Sequence, residues 1–215
     1  MEKQRSASLA ARGKLSSLWF KILARSIYRR EVLMERLLSD PIPDIVSSVS
    51  IDIAMLRPQE REEYLRFRPN SEPTEIDCRI NRGHCCFVAR CEGRIVSASW
   101  TTTKGAWSSY LEREIVMAPG DVYTYDSFTA PGFRGQQIAT VRLAAMLRFF
   151  REAGYVRLVS IVVPENSSAL RSPEKLGYRS FGVMGYYKFG PWRWDFCRVK
   201  RGAHPLGLSP AGDGR

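Results

Sequence analysis

The succession of periodic segments predicts an α/β layer structure: helices, then antiparallel strands, then helix, strand, helix and strands again. Three observations carry that expectation. The stretch Tyr123 to Ala139, YTYDSFTAPGFRGQQIA, runs a β-rich segment (Tyr123 to Thr129) through an Ala130-Pro131-Gly132 turn into a helical pattern that opens at Gln136. Val156 to Val163 is a nearly continuous apolar run, as the centre of a sheet requires. Cys85 to Ala89 and Ile95 to Thr101 flank Glu92-Gly93, a hairpin signal.

In chain order, residues 1 to about 13 are polar and carry no periodic pattern. Residues 14–30 place Leu15, Leu18, Trp19, Ile22, Leu23, Ser26 and Ile27 at helical spacing, which predicts a basic amphipathic helix. Pro41 and Pro43 mark a break, and residues 47–56 read as a strand. Arg57-Pro58 opens a charged helix that Pro69 ends, and Glu72 to Asn81 reads as a second one. Beyond the Glu92-Gly93 hairpin, Leu111 to Met117 and Val122 to Thr129 are expected to pair around Pro119-Gly120. Gln136 to Ala153 is a long helix stopped by Gly154, and Asn166 to Leu176 a short one stopped by Gly177. Tyr178 to Phe189 and Trp194 to Val199 close the pattern as strands.

The 215 residues are 44% hydrophobic and 11% aromatic, enough for a substantial core rather than a disordered chain. A net charge of +11 points to anionic partners: nucleic acid, an acidic membrane surface or a polyphosphate. Nucleic acid is the weakest of these, because the basic residues are dispersed and no recognition motif accompanies them. No apolar run approaches the ~20 residues of a membrane span. Arg12, Lys14, Lys21 and Arg25 break up anything resembling a secretory signal. The five cysteines form no CxxC pair, which favours reduced thiols in a cytoplasmic protein and no metal. The amphipathic segment leaves a peripheral membrane location open.

A strand that delivers a glycine-containing turn onto a helix N-terminus is an anion-binding device. The first-turn N–H groups lack intrahelical acceptors and the helix dipole favours negative charge. Arg134 adds a fixed cation. Arg134-Gly135-Gln136-Gln137-Ile138-Ala139 resembles the coenzyme A pyrophosphate motif, Q/R-x-x-G-x-G/A, of the GNAT family of N-acyltransferases. The apolar strand 156–163 leading to Pro164-Glu165-Asn166 and the run Glu174-Lys175-Leu176-Gly177-Tyr178-Arg179 are similar to two further family features, in family order and spacing.

That resemblance implies an α/β fold with a mixed, mostly antiparallel sheet, splayed where the pantetheine arm of the donor lies. The chain would divide into an N-terminal extension with its amphipathic helix (1–46), the acyltransferase domain (47–201) and a flexible tail (202–215). Ser127, Phe128 and Thr129 would offer backbone groups to the donor, one N–H polarising the thioester carbonyl. The amides of Gly135, Gln136, Gln137, Ile138 and Ala139, with Arg134, would hold the pyrophosphate, and Asn166 would meet the pantetheine. Two residues depart from the pattern. Gln137 stands where the family usually has Gly, and Pro173 stands where many members carry a Tyr that protonates the leaving thiolate. A kink or restart of the helix is expected at Ser172-Pro173. Tyr178, Tyr186 and Tyr187 are substitute proton donors on chemistry alone.

On the acceptor side, symmetric closure of the Pro119-Gly120 hairpin would put Glu112, Glu114, Tyr123, Tyr125 and Ser127 on one face. Glu114 is then the candidate general base, with Tyr125 beside it, and Asp126 pairs with Arg113. Thr102 to Tyr110, with Trp107, is a candidate wall of the acceptor pocket. The expected reaction is acyl transfer, with acetyl-CoA or another acyl-CoA as co-substrate, to a small-molecule or peptide amine by direct attack. A longer-chain transferase fed by acyl-CoA or an acidic acyl-carrier protein, and a non-catalytic CoA-binding module, are the other readings.

Overall fold

The computed structural model describes residues 26–200. Its strands are β1 (Ser26–Leu37), β2 (Asp52–Met55), β3 (Cys85–Cys91), β4 (Arg94–Thr102), β5 (Gly105–Ser108), β6 (Arg113–Val116), β7 (Asp121–Thr129), β8 (Arg157–Val162), β9 (Arg179–Phe189) and β10 (Trp192–Val199). Its α-helices are α1 (Arg61–Phe67), α2 (Pro73–Asn81), α3 (Ile138–Glu152) and α4 (Ser167–Lys175). Eight strands form one sheet in the order β10-β9-β1-β8-β7-β4-β3-β2, and β5 pairs with β6 in a separate ribbon. Only β7 and β8 run parallel; the other neighbours are antiparallel. The expected mixed, mostly antiparallel α/β architecture is therefore present.

Local chemistry explains the elements that were expected. Glu92 (φ +51) and Gly93 (φ +76) make the two-residue turn of the β3–β4 hairpin, whose Cys91 and Arg94 are direct partners. Pro58 opens a 3₁₀ turn (Pro58–Glu60) that leads into α1, and Pro73 sits in the first turn of α2, positions where a missing N–H costs nothing. Leu143, Leu147 and Phe150 of α3 pack on Met34, Phe87, Val122 and Leu158, covering one face of the sheet. On the opposite face, Tyr64 of α1 and Ile76 of α2 cover Cys86, Val88 and Trp100. There the buried Trp100 indole donates to the Tyr64 hydroxyl at 2.8 Å.

The first correction concerns the N-terminal region. Residues 26–30, expected to end a helix, begin β1, and β1 lies inside the main sheet between β8 and β9. Residues 26–37 therefore belong to the domain rather than to an extension. The rest of the expected amphipathic helix (14–25) and the whole of the expected tail (202–215) fall outside the described residues. SIYRREVLMERL is rich in helix formers, but strand pairing on both of its edges overrides propensity. The slot that receives it is cut by glycines of β9. A Cβ on Gly185 would lie 2.1 Å from the Arg29 carbonyl oxygen, and one on Gly182 would lie 3.2 Å from Cδ1 of Leu33.

The second correction concerns the Pro119-Gly120 turn. β6 does not pair with β7 but folds back on β5, so Glu114 faces Trp107 and Ile115 faces Ala106. β7 is a central strand with both edges occupied, by β4 and by β8. The turn instead leads into β7 beside the start of β8, where the Val156 amide donates to the Gly120 carbonyl at 2.8 Å. Asp126 consequently meets Arg68 and Arg79, while Arg113 meets Asp195. The β5–β6 ribbon and its flanks lay Ala106, Leu111, Ile115 and Met117 on Leu33, Tyr123, Val159 and Met184. Tyr125 touches both this cluster and the α1–α2 cluster, so ribbon and helices share one face.

Candidate functional site

The site begins where β7 and β8 part. They are paired from Asp121–Arg157 to Thr124–Ser160 and not beyond. The closed end is clamped by Arg157, which is bidentate to Asp121 (both contacts 2.7 Å) and reaches Glu35 of β1 at 2.5 Å. At the fork, the Thr124 hydroxyl lies 2.5 Å from that of Ser160 and 3.2 Å from the Val159 carbonyl. Past that point Tyr125 to Thr129 form one wall of a cleft of about 810 Å³, and Ile161 to Val163 form the other.

β7 carries a bulge on this wall. Ala98 pairs with Phe128 and Trp100 with Tyr125, so Asp126 and Ser127 together oppose the single residue Ser99. Asp126 takes φ +45, and its carboxylate is held by Arg68 at 3.0 Å and Arg79 at 2.6 Å. From the other face, buried Arg142 of α3 donates to the Ser97 hydroxyl, to the Ser127 hydroxyl (2.6 Å) and to the Phe128 carbonyl (3.4 Å). Burial lowers its guanidinium to about 10, which leaves it charged at neutral pH. A side-chain cation thus braces the irregular backbone and keeps the free edge of β7 turned to the cleft.

The mouth of the cleft is the N-terminus of α3. The Arg134 side chain donates to the Thr129 carbonyl at 3.2 Å and stacks over Phe128. Gly135 (φ +80) and Gln137 (φ +63) take the left-handed conformations that turn the chain into the helix. Among the described residues, the amides of Gly135, Gln136, Gln137, Ile138 and Ala139 donate to no protein acceptor. No side chain caps this helix either. The Gln137 side chain is engaged away from these amides, with its Nε2 3.4 Å from the Val46 carbonyl and its Oε1 3.3 Å from the Lys175 ammonium. Arg171 and Lys175 of α4 line the same cleft, which with Arg134 gives it three cations.

Of the residues singled out in the sequence, Tyr125, Ser127, Phe128, Thr129, Arg134, Gly135, Gln137, Ile138, Ala139 and Asn166 line this cleft. Asn166 does so as the N-cap of α4, its Oδ1 accepting from the Ala169 amide at 3.2 Å. Gln136 does not line it; its carbonyl is tied to Ser47 and Ser48. Glu114 does not line it either: it is exposed on the ribbon, because the pairing that would have brought it to Tyr125 does not form. Pro173 lines the cleft within α4, which runs on through it. Tyr178, Tyr186 and Tyr187 lie outside it.

Tyr125 is the cleft phenol. Its hydroxyl shares a 2.5 Å hydrogen bond with Nδ1 of His84, and burial raises its pKa so that it keeps its proton. Burial, with the charges of Arg79, Arg82 and Lys104, pushes His84 down and so favours the neutral ring.

Sequence reading missed Arg142, Arg171, Lys175 and, above all, Glu31. This glutamate of β1 is 7% exposed, lines the cleft, and has an Oε2 with no hydrogen-bond partner among the described residues. Burial pushes its carboxyl up to about 7. Its only signal in the sequence was a charged residue inside an otherwise unassigned apolar stretch.

The profile of the acetyltransferase (GNAT) family matches residues 53–178. At the level of whole sequences, no curated protein matches this chain. Among solved structures, a GCN5-related N-acetyltransferase from Kribbella flavida is 15% identical over 81% of this chain and 64% of its own, with a TM-score of 0.53. A GNAT-family acetyltransferase from Novosphingobium aromaticivorans is 19% identical over 74% of this chain and 64% of its own, with a TM-score of 0.50. The GCN5-related glucosamine N-acetyltransferase region of a fungal multi-domain β-N-acetylglucosaminidase is 14% identical, with a TM-score of 0.55, over 80% of this chain and 22% of its own. The chain thus spans less than two thirds of each of these proteins.

Proposed function

Because this chain belongs to the acetyltransferase (GNAT) family, we propose that it transfers an acyl group, acetyl in the first instance, from coenzyme A to an amine. The observation that carries the reading is the continuous path from the free α3 amides into the gap between β7 and β8, in a cleft that Arg134, Arg171 and Lys175 also line. The amides and cations suit a diphosphate. The unpaired edge of β7 from Tyr125 to Thr129 suits the amide-bearing arm, and an N–H at the bulge suits the oxygen of the thioester carbonyl.

The reaction needs no covalent enzyme intermediate, since a thioester is already activated. The amine nitrogen forms a bond to the carbonyl carbon, the carbon–sulfur bond breaks, and the sulfur leaves with the electron pair. Of the two protons an ammonium acceptor loses, one must go before attack and the other afterwards, to the sulfur. With Nδ1–H of His84 donating to the Tyr125 oxygen, the phenol proton is free to reach the sulfur. The second proton of the acceptor then restores the phenol. Tyr125 takes the part that Pro173 cannot fill.

Calorimetry with CoA and acetyl-CoA, followed by thiol-release assays over polyamines, aminosugars and peptide amino termini, tests the reading. Saturable one-to-one binding with amine-dependent thiol release is the expected result; absence of CoA binding refutes it. Pro173 favours a second reading, a CoA-binding module without turnover, for which binding is retained and no amine releases thiol.

The departure at Gln137 is expected to matter little. Its side chain is tied to Val46 and Lys175 rather than lying over the amides. Gln137→Gly removes a left-handed non-glycine residue, an arrangement that costs about 1–2 kcal/mol, and loses two weak hydrogen bonds. CoA affinity is expected to stay within about threefold of wild type by calorimetry, since every amide donor is retained.

A further inference from the structure

We propose that Glu31, delivered by β1 from outside the span matched by the family profile, is the base that takes the first proton from the acceptor amine. The inference rests on the acyl-transfer reading and names the group which that reading leaves open. β1 fills the slot between β8 and β9, and Val32–Val162 and Leu33–Ile161 are direct partners. Glu31 therefore stands beside the end of β8, on the open side of the fork. Alternation puts Glu31 with Leu33 on the ribbon and α1–α2 face of the sheet, the face of Tyr123 and Tyr125. Donor and acceptor would thus enter from opposite faces and meet in the gap, the anion cradle lying at the α3 end and Glu31 across it.

The surroundings of Glu31 explain why an amine belongs there. β8 contributes Ile161, the partner of Leu33 on the same face, and β9 places Met184 directly opposite Glu31, with no charge among them. β7 contributes Tyr123 and Tyr125; the Tyr123 phenol is raised chiefly by burial and then by the Glu31 charge. The cation on the same face of β1, Arg29, is committed to the Tyr110 carbonyl at 2.7 Å and to Glu112 at 3.5 Å. The charged residues of the ribbon and its flank in this region are also engaged, Glu112 by Arg29 and Arg193, and Arg113 by Asp195. A buried carboxylate oxygen without a partner is costly, and a primary ammonium supplies both the hydrogen bond and the countercharge. The carboxylate takes one proton and releases it to solvent, leaving a neutral amine to attack. A carboxyl raised to about 7 is matched to that task near neutral pH.

The test compares wild type with Glu31→Gln, which keeps size and shape. With acetyl-CoA and the amine that gives the highest thiol release, wild-type kcat/KM is expected to fall on the acid side with an apparent pKa near 7. Glu31→Gln is expected to lose about 100-fold in kcat and to lack that limb, with CoA affinity unchanged. Turnover within threefold of wild type, or an unchanged acid limb, overturns the assignment. Failure of both proteins to bind CoA refutes the acyl-transfer reading instead.

A second arm needs no acceptor. A carboxyl raised in the folded state destabilises the protein as pH rises. Stability is intact below the ordinary value of 4.5, falls as pH climbs toward about 7, and is flat above it. Glu31→Gln has no such loss. Its melting temperature should gain on wild type between about pH 5 and about pH 8, and a pH-independent difference overturns the proposal.

Discussion

Arg157→Met is expected to lower stability by about 3–5 kcal/mol, the largest effect of any single substitution considered for this protein. Arg157 is 2% exposed and Asp121 is 4% exposed, and two 2.7 Å contacts join them where β7 and β8 are still paired. Glu35 adds β1 to the clamp, so one side chain ties three central strands together at the closed end of the fork. Methionine fills much of the volume but leaves the Asp121 carboxylate buried without a countercharge. For a chain of this size the loss corresponds to about 10 °C in melting temperature, readable by calorimetry or circular dichroism. Replacing both partners, Arg157→Met with Asp121→Leu, is expected to recover about half of it, because an apolar pair removes the stranded charge. A single substitution that melts within about 2 °C of wild type would show that the clamp contributes little.

The second large effect falls on the donor. Gly135→Asp is expected to weaken CoA binding by about 30-fold or more, whereas Gly135→Asn weakens it by about threefold at most. Gly135 has φ +80, and a Cβ placed there meets nothing within 4 Å. Asn and Asp are the non-glycine residues that best tolerate this conformation, so the two variants carry similar strain and differ in charge. A carboxylate about 5 Å from a diphosphate, at an effective dielectric near 40, costs about 2 kcal/mol or more. The difference should shrink as salt is raised, because the site is open to solvent. Equal affinities for the two variants would place the diphosphate elsewhere and remove the main support for the donor site.

How much could be read from the sequence depended on how far apart the interacting residues lie along the chain. Glu92-Gly93, the strand–turn–helix of 123–139 and the start of the short helix at Asn166 are each set within a few residues, and each was legible. The pairing of Leu111 to Met117 was not, because Pro119-Gly120 allows either a hairpin or a hand-over to the next strand. Burial decided between them: β7 gains partners on both edges only if β6 leaves it. Glu114 lost its expected place for that reason, and Asp126 exchanged Arg113 for Arg68 and Arg79. Gln137 was recognised as a departure, but the Val46 and Lys175 contacts that hold its side chain come from remote segments.

By itself the sequence determined the run of free amides at the start of α3 and the family, because an unsatisfied helix start is a property of a dozen consecutive residues. Only the tertiary structure decided what lines the fork from the side of β1. The slot between β8 and β9, opened by Gly182 and Gly185, captures a segment of helix-forming residues as a strand and buries Glu31 beside the fork. Propensity is a local quantity worth tenths of a kcal/mol per residue, whereas pairing on both strand edges is a long-range gain that no short window of sequence displays.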